Sequence, residues 1–217
     1  MFINIHTHHP PAQDCWSIQN AHDNFEHLHT LQYYSAGLHP WYLNALTQES
    51  EFEKFKLYSN QKNVLAIGEC GLDRLCNTTF PLQEKVFIHQ IKWANELAKP
   101  IIIHCVRAHR QVLILLKEYN NHMPVIFHGF NNQIEIAHSL LKAGHFLSFG
   151  KSLFTPKMET VFSKIPAEFI FLETDDSDLS IQAIYQQAAK IKNCSLEKLS
   201  AQIQQNAKTV FNSSFLK

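Results

Sequence analysis

The stretch Ile101-Ile102-Ile103-His104 is an apolar run of strand length that ends in an imidazole. Apolar side chains on both faces are expected for a parallel strand that is covered on both sides. Helical periodicity fills most of the intervals between runs of this kind. The alternation predicts repeated β–α units. The other runs lie at 2–5, 33–38, 64–67, 125–127, 146–149 and 169–172, with a weaker one at 15–19.

About eight such units predict a (β/α)₈ barrel of the TIM type, in the α/β class and on the short side for that fold. The residues between the run at 2–5 and the run at 15–19 are too few for a crossover helix. An open doubly wound sheet is the structural alternative, but the chain has no Gly-x-Gly-x-x-Gly loop for a nucleotide. No linker, repeat or low-complexity tract interrupts the sequence. Residues 1–217 are therefore predicted to form a single domain.

Composition narrows the functional class. The 217 residues include 19 basic and 19 acidic side chains, which gives a formal net charge of zero. This balance argues against a polybasic protein that binds nucleic acid by bulk charge, although it leaves room for a local basic site. An apolar content of 45% with 18% charged residues excludes a disordered chain. Fourteen histidines stand out, and their positions carry the functional argument.

The cellular compartment is inferred from missing features. The first ten residues lack the basic and apolar pattern of a secretory signal, and no apolar stretch approaches the ~20 residues that span a bilayer. The five cysteines form no Cys-x-x-Cys pair, which favours reduced thiols. We expect a cytoplasmic protein with no membrane partner, and no obligate protein partner is evident.

Imidazole or carboxylate groups follow five of the apolar runs. In a barrel these strand ends converge on one face, which is the face that carries active sites. Two histidines that are two residues apart can face the same side and bind one cation, and a carboxylate can bridge two. Four imidazoles and two carboxylates suit Zn²⁺ or Mn²⁺ better than Mg²⁺, although six such groups could also serve one metal and its surroundings. The groups are His6, His8, Glu69, His104, His128 and Asp175.

With these motifs in this order, the chain resembles the TatD family of metal-dependent hydrolases, within the amidohydrolase-like barrel group. The similarity spans nearly the whole chain. Each motif is weak alone, whereas the ordered set is specific. The motifs are His6-Thr7-His8, Gly37-Leu38-His39-Pro40, the stretch 68–73, Pro100 through His104, Phe127-His128-Gly129-Phe130 and Glu173-Thr174-Asp175.

The resemblance implies a distorted barrel that hydrolyses phosphate esters, often DNA, with two divalent metal ions. It implies that His6 and His8 hold one ion, that His104 and His128 hold the other, that Glu69 bridges them and that Asp175 completes the first site. It also implies that His39 is a nearby group that either contacts the substrate or lies behind the metal ligands. The sequence departs from the family pattern at three places. The segment between His8 and the His39 motif is short, so the barrel is expected to be short in its first units. Residues 105–107 and 176–178 also differ, which leaves the substrate open.

The mechanism that follows is hydrolysis by metal-activated water. Two cations about 3.5–4 Å apart would lower the pKa of a bound water and hold the attacking and leaving oxygens of a phosphodiester. Asp175 is the predicted general base, with Glu69 as the second catalytic carboxylate. Arg74 and Arg107 follow metal-bearing strands and could bind phosphate by their planar guanidinium groups.

The predicted activity is that of a TatD-type deoxyribonuclease, 3′–5′ exonuclease-like, acting on a DNA end or a small phosphodiester with Mg²⁺, Mn²⁺ or Zn²⁺. Trp41 and Tyr42 are candidates for base stacking. Two alternatives remain: an amidohydrolase or lactonase that uses the same binuclear site on a small carbonyl substrate, and a metal-binding scaffold without turnover.

Overall fold

The computed structural model describes residues 1–10, 12, 15–21, 28, 32–46 and 48–211. Eight parallel strands form a nearly closed barrel with helices between them, which confirms the predicted fold class. The strands follow one another around the sheet in chain order. They are β1 (Phe2–Thr7), β2 (Cys15–Asn20), β3 (Tyr33–Ala36), β4 (Val64–Asp73), β5 (Ile101–Val106), β6 (Val125–Phe127), β7 (Phe146–Phe149) and β8 (Ile170–Leu172).

Among the described residues, seven α-helices lie between or after these strands, and local signals in the sequence set several of their ends. Pro81 lies in the first turn of the helix that follows β4, where its missing N–H costs no hydrogen bond. The Ser195 hydroxyl accepts a hydrogen bond from the Lys198 N–H at 3.2 Å and caps the last helix. The helices are α1 (Gln48–Ser59), α2 (Phe80–Leu97), α3 (His109–Glu118), α4 (Ile134–Lys142), α5 (Pro156–Lys164), α6 (Ile181–Lys192) and α7 (Leu196–Phe211).

The connection after β1 is short for a β–α barrel. Strands β1 and β2 pair in parallel, with Phe2 opposite Cys15 and Asn4 opposite Ser17. Only residues 8–14 join them, fewer than a crossover helix needs. No helix within the described part of the chain combines the length and apolar character needed to cross a membrane.

The described residues group into two compact units. Unit 1 comprises Met1–Gln19 and Phe127–Lys217, and unit 2 comprises Asn20–Ile126. This grouping does not test the prediction that residues 1–217 form a single domain, which stays a prediction.

In unit 1, β1 and β8 lie side by side, joined at their carboxyl ends by a bridge between Thr7 and Asp175. The outer face of β1 is fixed by α6. The Tyr185 hydroxyl accepts from the Ile3 N–H and donates to the Ile3 carbonyl, each at 3.0 Å. Because Tyr185 is fully buried, these two bonds satisfy a polar group that would otherwise destabilise the core. The strand that carries His6 therefore has a defined position within unit 1.

In unit 2, β4 is buried along its whole length and extends to Asp73, well past the predicted run at 64–67. Glycines in the strand hide its continuation from a pattern search. At Gly71, φ is +139°, and an added Cβ would collide with the His104 carbonyl oxygen of β5. Close approach of the two strands requires glycine there.

Two glutamines of α2 each bind both backbone groups of one residue in unit 2, Leu38 after β3 and Asp73 at the end of β4. Gln90 accepts from the Leu38 N–H at 2.7 Å and donates to the Leu38 carbonyl at 3.1 Å. Gln83 does the same for Asp73, at 2.8 and 3.0 Å. Because Leu38 directly precedes His39, these bonds from α2 fix the backbone next to His39 and at Asp73.

Candidate metal centre

In unit 1, two imidazoles converge on one carboxylate oxygen. The Asp175 Oδ1 atom lies 3.6 Å from His6 Nε2 and 3.5 Å from His8 Nε2. We call these three residues the His6 cluster. Asp175 has a left-handed backbone, with φ +54°, which is uncommon for a residue with a side chain. Two backbone hydrogen bonds hold it there, from the Asp175 N–H to the His6 carbonyl (3.1 Å) and from the His8 N–H to the Asp175 carbonyl (3.0 Å).

A buried polar network beneath the His6 cluster joins β1 to the segment that carries Asp175. Asn4 Nδ2 donates to Thr174 Oγ1 at 2.8 Å, and the Thr174 N–H donates to Asn4 Oδ1 at 3.0 Å. The Thr174 hydroxyl donates in turn to Thr7 Oγ1 at 3.0 Å. Since all three side chains are buried, these bonds fix the spacing between the strand ends and hence between their ligand atoms.

His128 also lies in unit 1, at the end of β6, with its ring centroid 4.4 Å from that of His6. Its Nδ1 atom is 3.5 Å from Oε1 of Glu173, a carboxylate with no solvent exposure. The same oxygen accepts a hydrogen bond from the Gly129 N–H at 2.6 Å. Glu173 thus ties the end of β8 to the residue after His128. The sequence motif contained Glu173, but nothing in the pattern indicated this contact.

In unit 2, two imidazoles surround the Glu69 carboxylate at the middle of β4. Its Oε1 atom lies 3.1 Å from His39 Nε2 and 3.0 Å from His104 Nδ1. The other oxygen, Oε2, accepts a hydrogen bond from Asn20 Nδ2 at 3.0 Å. We call His39, Glu69 and His104 the Glu69 cluster. Glu69 is buried, and the groups around it fix its orientation.

Asp73 holds the far side of the His104 ring. His104 Nε2 lies 3.0 Å from Asp73 Oδ2, which also accepts from Trp41 Nε1 at 2.6 Å, while Asp73 Oδ1 accepts from the Leu75 N–H at 2.7 Å. Burial raises the pKa of Asp73, but the hydrogen bonds from His104, Trp41 and Leu75 outweigh burial and bring it below its ordinary value.

An ionised carboxylate only accepts hydrogen bonds, so Asp73 favours the tautomer with the proton on His104 Nε2. Nδ1 then presents its lone pair on the side of Glu69. A carboxylate behind a metal-binding histidine has this effect in many metal sites. Asp73 belongs to the motif 68–73 but received no role, because its position four residues after Glu69 in the same strand does not reveal a contact with the next strand.

The arginines with predicted phosphate contacts lie in unit 2, after β4 and β5. Arg74 is exposed, with its guanidinium carbon 4.0 Å from the centroid of the Phe80 ring. The Arg74 backbone N–H donates to the Val106 carbonyl at 3.1 Å. Arg107 is exposed and has a left-handed backbone, with φ +52°. These positions leave both guanidinium groups accessible from solvent.

Within each unit, the structure brings predicted metal ligands together. In each of three sets, one ligand atom from each residue lies within 4.8 Å of the others: His6, His8 and Asp175; His128, Glu173 and Asp175; His39, Glu69 and His104. Glu173 and His39 join these sets although neither was predicted as a metal ligand. Two predicted pairings, Glu69 as a bridge and His104 with His128, join residues of different units. They stay predictions.

Each unit also has a cavity beside its cluster. In unit 1, a cavity of about 270 Å³ has Thr7, Ser177 and Asp178 in its wall. In unit 2, a cavity of about 510 Å³ has Trp41 and Val106 in its wall. Ser177, Asp178 and Val106 belong to the segments where the sequence departs from the TatD pattern. These departures therefore change cavity walls and leave the ligand types in place.

Comparison with known proteins agrees with this arrangement. Residues 11–212 match the family described as TatD related DNase. An uncharacterized metal-dependent hydrolase of Buchnera aphidicola is 31% identical over 196 residues, which are 82% of this chain and 73% of the relative. A protein of Cronobacter turicensis named 3′–5′ ssDNA/RNA exonuclease TatD is 30% identical over 179 residues, 79% of this chain and 68% of the relative.

Solved structures share the fold. The crystal structure of a TatD homologue from Escherichia coli superposes with a TM-score of 0.83 at 21% identity and covers 97% of this chain and 98% of its own. The match over nearly the whole sequence, together with histidine and carboxylate clusters at the strand ends, shows that the chain belongs to the TatD family of metal-dependent hydrolases.

Proposed function

We propose that the chain is a phosphodiesterase of the TatD deoxyribonuclease type that removes nucleotides from the 3′ end of single-stranded DNA. The observation that carries the proposal is the convergence of imidazoles on a shared carboxylate oxygen in each unit, at Asp175 and at Glu69. The names of relatives at about 30% identity support nucleic acid as the substrate class.

The donor atoms fit divalent cations. Imidazole nitrogen and carboxylate oxygen are the usual protein ligands of Zn²⁺ and are also accepted by Mn²⁺. Tetrahedral Zn²⁺ with bonds of about 2.0–2.1 Å separates its ligand atoms by roughly 3.3 Å. The separations of 3.5 and 3.6 Å in the His6 cluster and of 3.0 and 3.1 Å in the Glu69 cluster bracket this value.

In this proposal, His6, His8 and Asp175 hold one cation, and Glu69 and His104 contribute to a second. When bound, the cations lower the pKa of a water molecule and neutralise charge on the phosphodiester. Asp175 would accept the proton of the attacking water, since its side chain is 29% exposed and can reach a solvent molecule. Asp73 keeps the His104 ring in the orientation and tautomer that binds metal.

In this proposal, exposed arginine side chains of unit 2 bind the phosphate. Arg74 and Arg107 offer planar donors that match phosphate oxygens. His39 contacts Glu69 through Nε2 and so lies where it can contact a substrate bound at the Glu69 cluster. These contacts suit the end of a strand or a small phosphodiester, because a neutral chain has little bulk attraction for a duplex.

The experiment compares protein stripped of metal with the same protein reloaded with Mn²⁺, Zn²⁺ or Mg²⁺. Substrates are single-stranded DNA labelled at the 5′ end, a chromogenic phosphodiester and a panel of amides and lactones. His8→Ala removes one ligand, and His9→Ala, at the adjacent exposed histidine, is the matched control.

We expect metal-dependent shortening of DNA from the 3′ end, loss of that activity in His8→Ala and its retention in His9→Ala. Turnover of amides or lactones alone would contradict the proposal in favour of carbonyl chemistry. Absence of turnover on every substrate with every metal would contradict it in favour of a metal-binding scaffold.

A further inference from the structure

Trp41 combines high exposure with a fixed position. The residue is 52% exposed, yet its indole N–H donates a 2.6 Å hydrogen bond to the buried carboxylate of Asp73. A tryptophan that fills the core buries its ring, because the ring carries a large apolar surface. Here the ring edge is anchored while much of the ring remains accessible to a ligand.

A cavity of about 510 Å³ opens beside this ring. It is lined by Trp41, Asp73, Leu75, Cys76, Asn77 and Val106. The volume lies within the ~300–1,000 Å³ that is usual for small-molecule sites, and the wall has the apolar character of such sites. Every one of these residues belongs to unit 2.

The cavity adjoins the Glu69 cluster. The Trp41 ring centroid lies 5.1 Å from that of His39 and 5.5 Å from that of His104, both at edge-on angles. Tyr42, which is 56% exposed, stands next to it with its ring 6.4 Å from that of Trp41. A ligand stacked on the Trp41 ring would therefore lie next to His39 and His104 of the Glu69 cluster.

Charge selects which part of a nucleotide the cavity accepts. The described lining residues include the Asp73 carboxyl group and no basic side chain, so a phosphate group would find no cationic partner there, whereas a neutral base needs none. Both Asp73 oxygens already accept hydrogen bonds, from Leu75, Trp41 and His104, so this side chain offers no dedicated acceptor to tell one base from another. Stacking on an aromatic ring tolerates any base, because every base has a π face.

We propose that this cavity binds the base of the nucleotide next to the scissile phosphate, stacked on Trp41, without preference among bases. The inference rests on the proposed phosphodiesterase function. It assigns the base to the Trp41 side and the phosphate to the Glu69 cluster, so the anchored indole sets how far the strand end enters the site.

Binding can be measured without turnover, by calorimetry with deoxyadenosine monophosphate, thymidine monophosphate and base-free deoxyribose 5-phosphate, in the presence of Mn²⁺. The variants are Trp41→Ala, Trp41→Phe and, as the matched control, Leu46→Ala at a 94% exposed apolar residue near Trp41 in the sequence. Trp41→Phe keeps an aromatic ring but loses the N–H that reaches Asp73. Comparison with Trp41→Ala therefore distinguishes the contribution of stacking from that of the hydrogen bond to Asp73.

We expect Trp41→Ala to weaken binding of both mononucleotides by about 5- to 150-fold, the range for loss of one stacked base. Trp41→Phe should retain most of the affinity, and deoxyribose 5-phosphate should bind equally to all variants. Unchanged mononucleotide affinity in Trp41→Ala would overturn the inference. Equal losses in Trp41→Ala and Trp41→Phe would also overturn it, since the N–H bond would then be the feature that matters.

The two proposals fail separately. If no phosphodiester is hydrolysed but mononucleotide binding depends on the Trp41 ring, the base site stands and the phosphodiesterase proposal is wrong. If DNA is hydrolysed and Trp41→Ala has a wild-type KM for a dinucleotide, the phosphodiesterase proposal stands and the base site is wrong.

Discussion

The His6 cluster and the Glu69 cluster use the same kinds of side chain but hold them differently. In the Glu69 cluster, both nitrogens of His104 lie 3.0 Å from a carboxylate, and Asn20 holds the remaining Glu69 oxygen. In the His6 cluster, the imidazoles lie 3.5 and 3.6 Å from Asp175, beyond the usual range of a hydrogen bond. There the backbone and the Asn4–Thr174–Thr7 network set the geometry.

This difference indicates two ways to preorganise ligands for a cation. The Glu69 cluster is oriented by side chains behind the ligands, chiefly Asp73. The His6 cluster is oriented by the join between two strand ends, which places Asp175 between the backbones of His6 and His8. A substitution of Asp73 should therefore alter metal affinity. A substitution in the Asn4–Thr174–Thr7 network should alter both the spacing of the ligand atoms and the stability of the fold.

The largest effect should follow from Asp175→Asn in the His6 cluster. The amide cannot accept the proton of an attacking water, so kcat should fall by about 10²- to 10⁴-fold, the usual contribution of a general base. Much of the bound metal should remain, because the histidine ligands persist. Steady-state rates and metal content by mass spectrometry check this, with Glu118→Gln, at an exposed carboxylate of α3, as control. Wild-type turnover in Asp175→Asn would exclude the role.

Asp73→Asn tests the orientation of the Glu69 cluster. An asparagine cannot accept all three hydrogen bonds that Asp73 receives, because its amide nitrogen is itself a donor. We expect affinity for one cation to fall by about 10- to 100-fold, as for other carboxylates behind metal ligands, while the other cation is unaffected. Competitive titration with a chelating dye measures both affinities. Equal losses at the two cations would remove the distinction between the clusters.

Neutralising the exposed arginines tests whether unit 2 binds phosphate. Arg74→Gln with Arg107→Gln should raise KM for a phosphodiester by roughly tenfold or more, since hydrogen bonds to charged groups contribute about 1.5–3 kcal/mol. The value of kcat should change less. Arg110→Gln, on α3, is the matched control. An unchanged KM in the double variant would assign phosphate binding to other groups.

Thr174→Val tests the join beneath the His6 cluster. The valine removes the bonds to Asn4 and Thr7 and leaves buried polar atoms without those partners, which costs about 1–3 kcal/mol of unfolding free energy. Urea denaturation measures the loss. Thr160→Val, at an exposed helical threonine, should lose far less. Equal stability of the two variants would show that the network does not hold the join.

The smallest effect concerns acid stability away from both clusters. Burial lowers the pKa of His145 to about 4, below the ordinary value of about 6.5. Between these values the unfolded chain binds a proton that the folded chain does not, so this group reduces stability as the pH falls from about 6.5 to 4. His145→Gln should flatten that slope in denaturation curves of metal-free protein, compared with the exposed His138→Gln. An unchanged slope would assign the acid sensitivity to the clusters themselves.

The sequence predicts the barrel and the ligand types because five of the apolar runs are followed, within three residues, by an imidazole or carboxylate group. His104 and Glu69 could be identified in this way from one strand each. Asp73 could not, because its function depends on β4 lying against β5, and the glycines that allow this approach also conceal the length of β4. Glu173 and the anchoring of Trp41 were missed for a similar reason, since both depend on contacts between distant segments.

The most direct test of this account is an anomalous difference map from crystals grown with Mn²⁺ and measured at the manganese absorption edge. The account predicts one peak bonded to His6, His8 and Asp175 and a second bonded to Glu69 and His104. Manganese bound only at other residues, with no peak at either cluster, would contradict it.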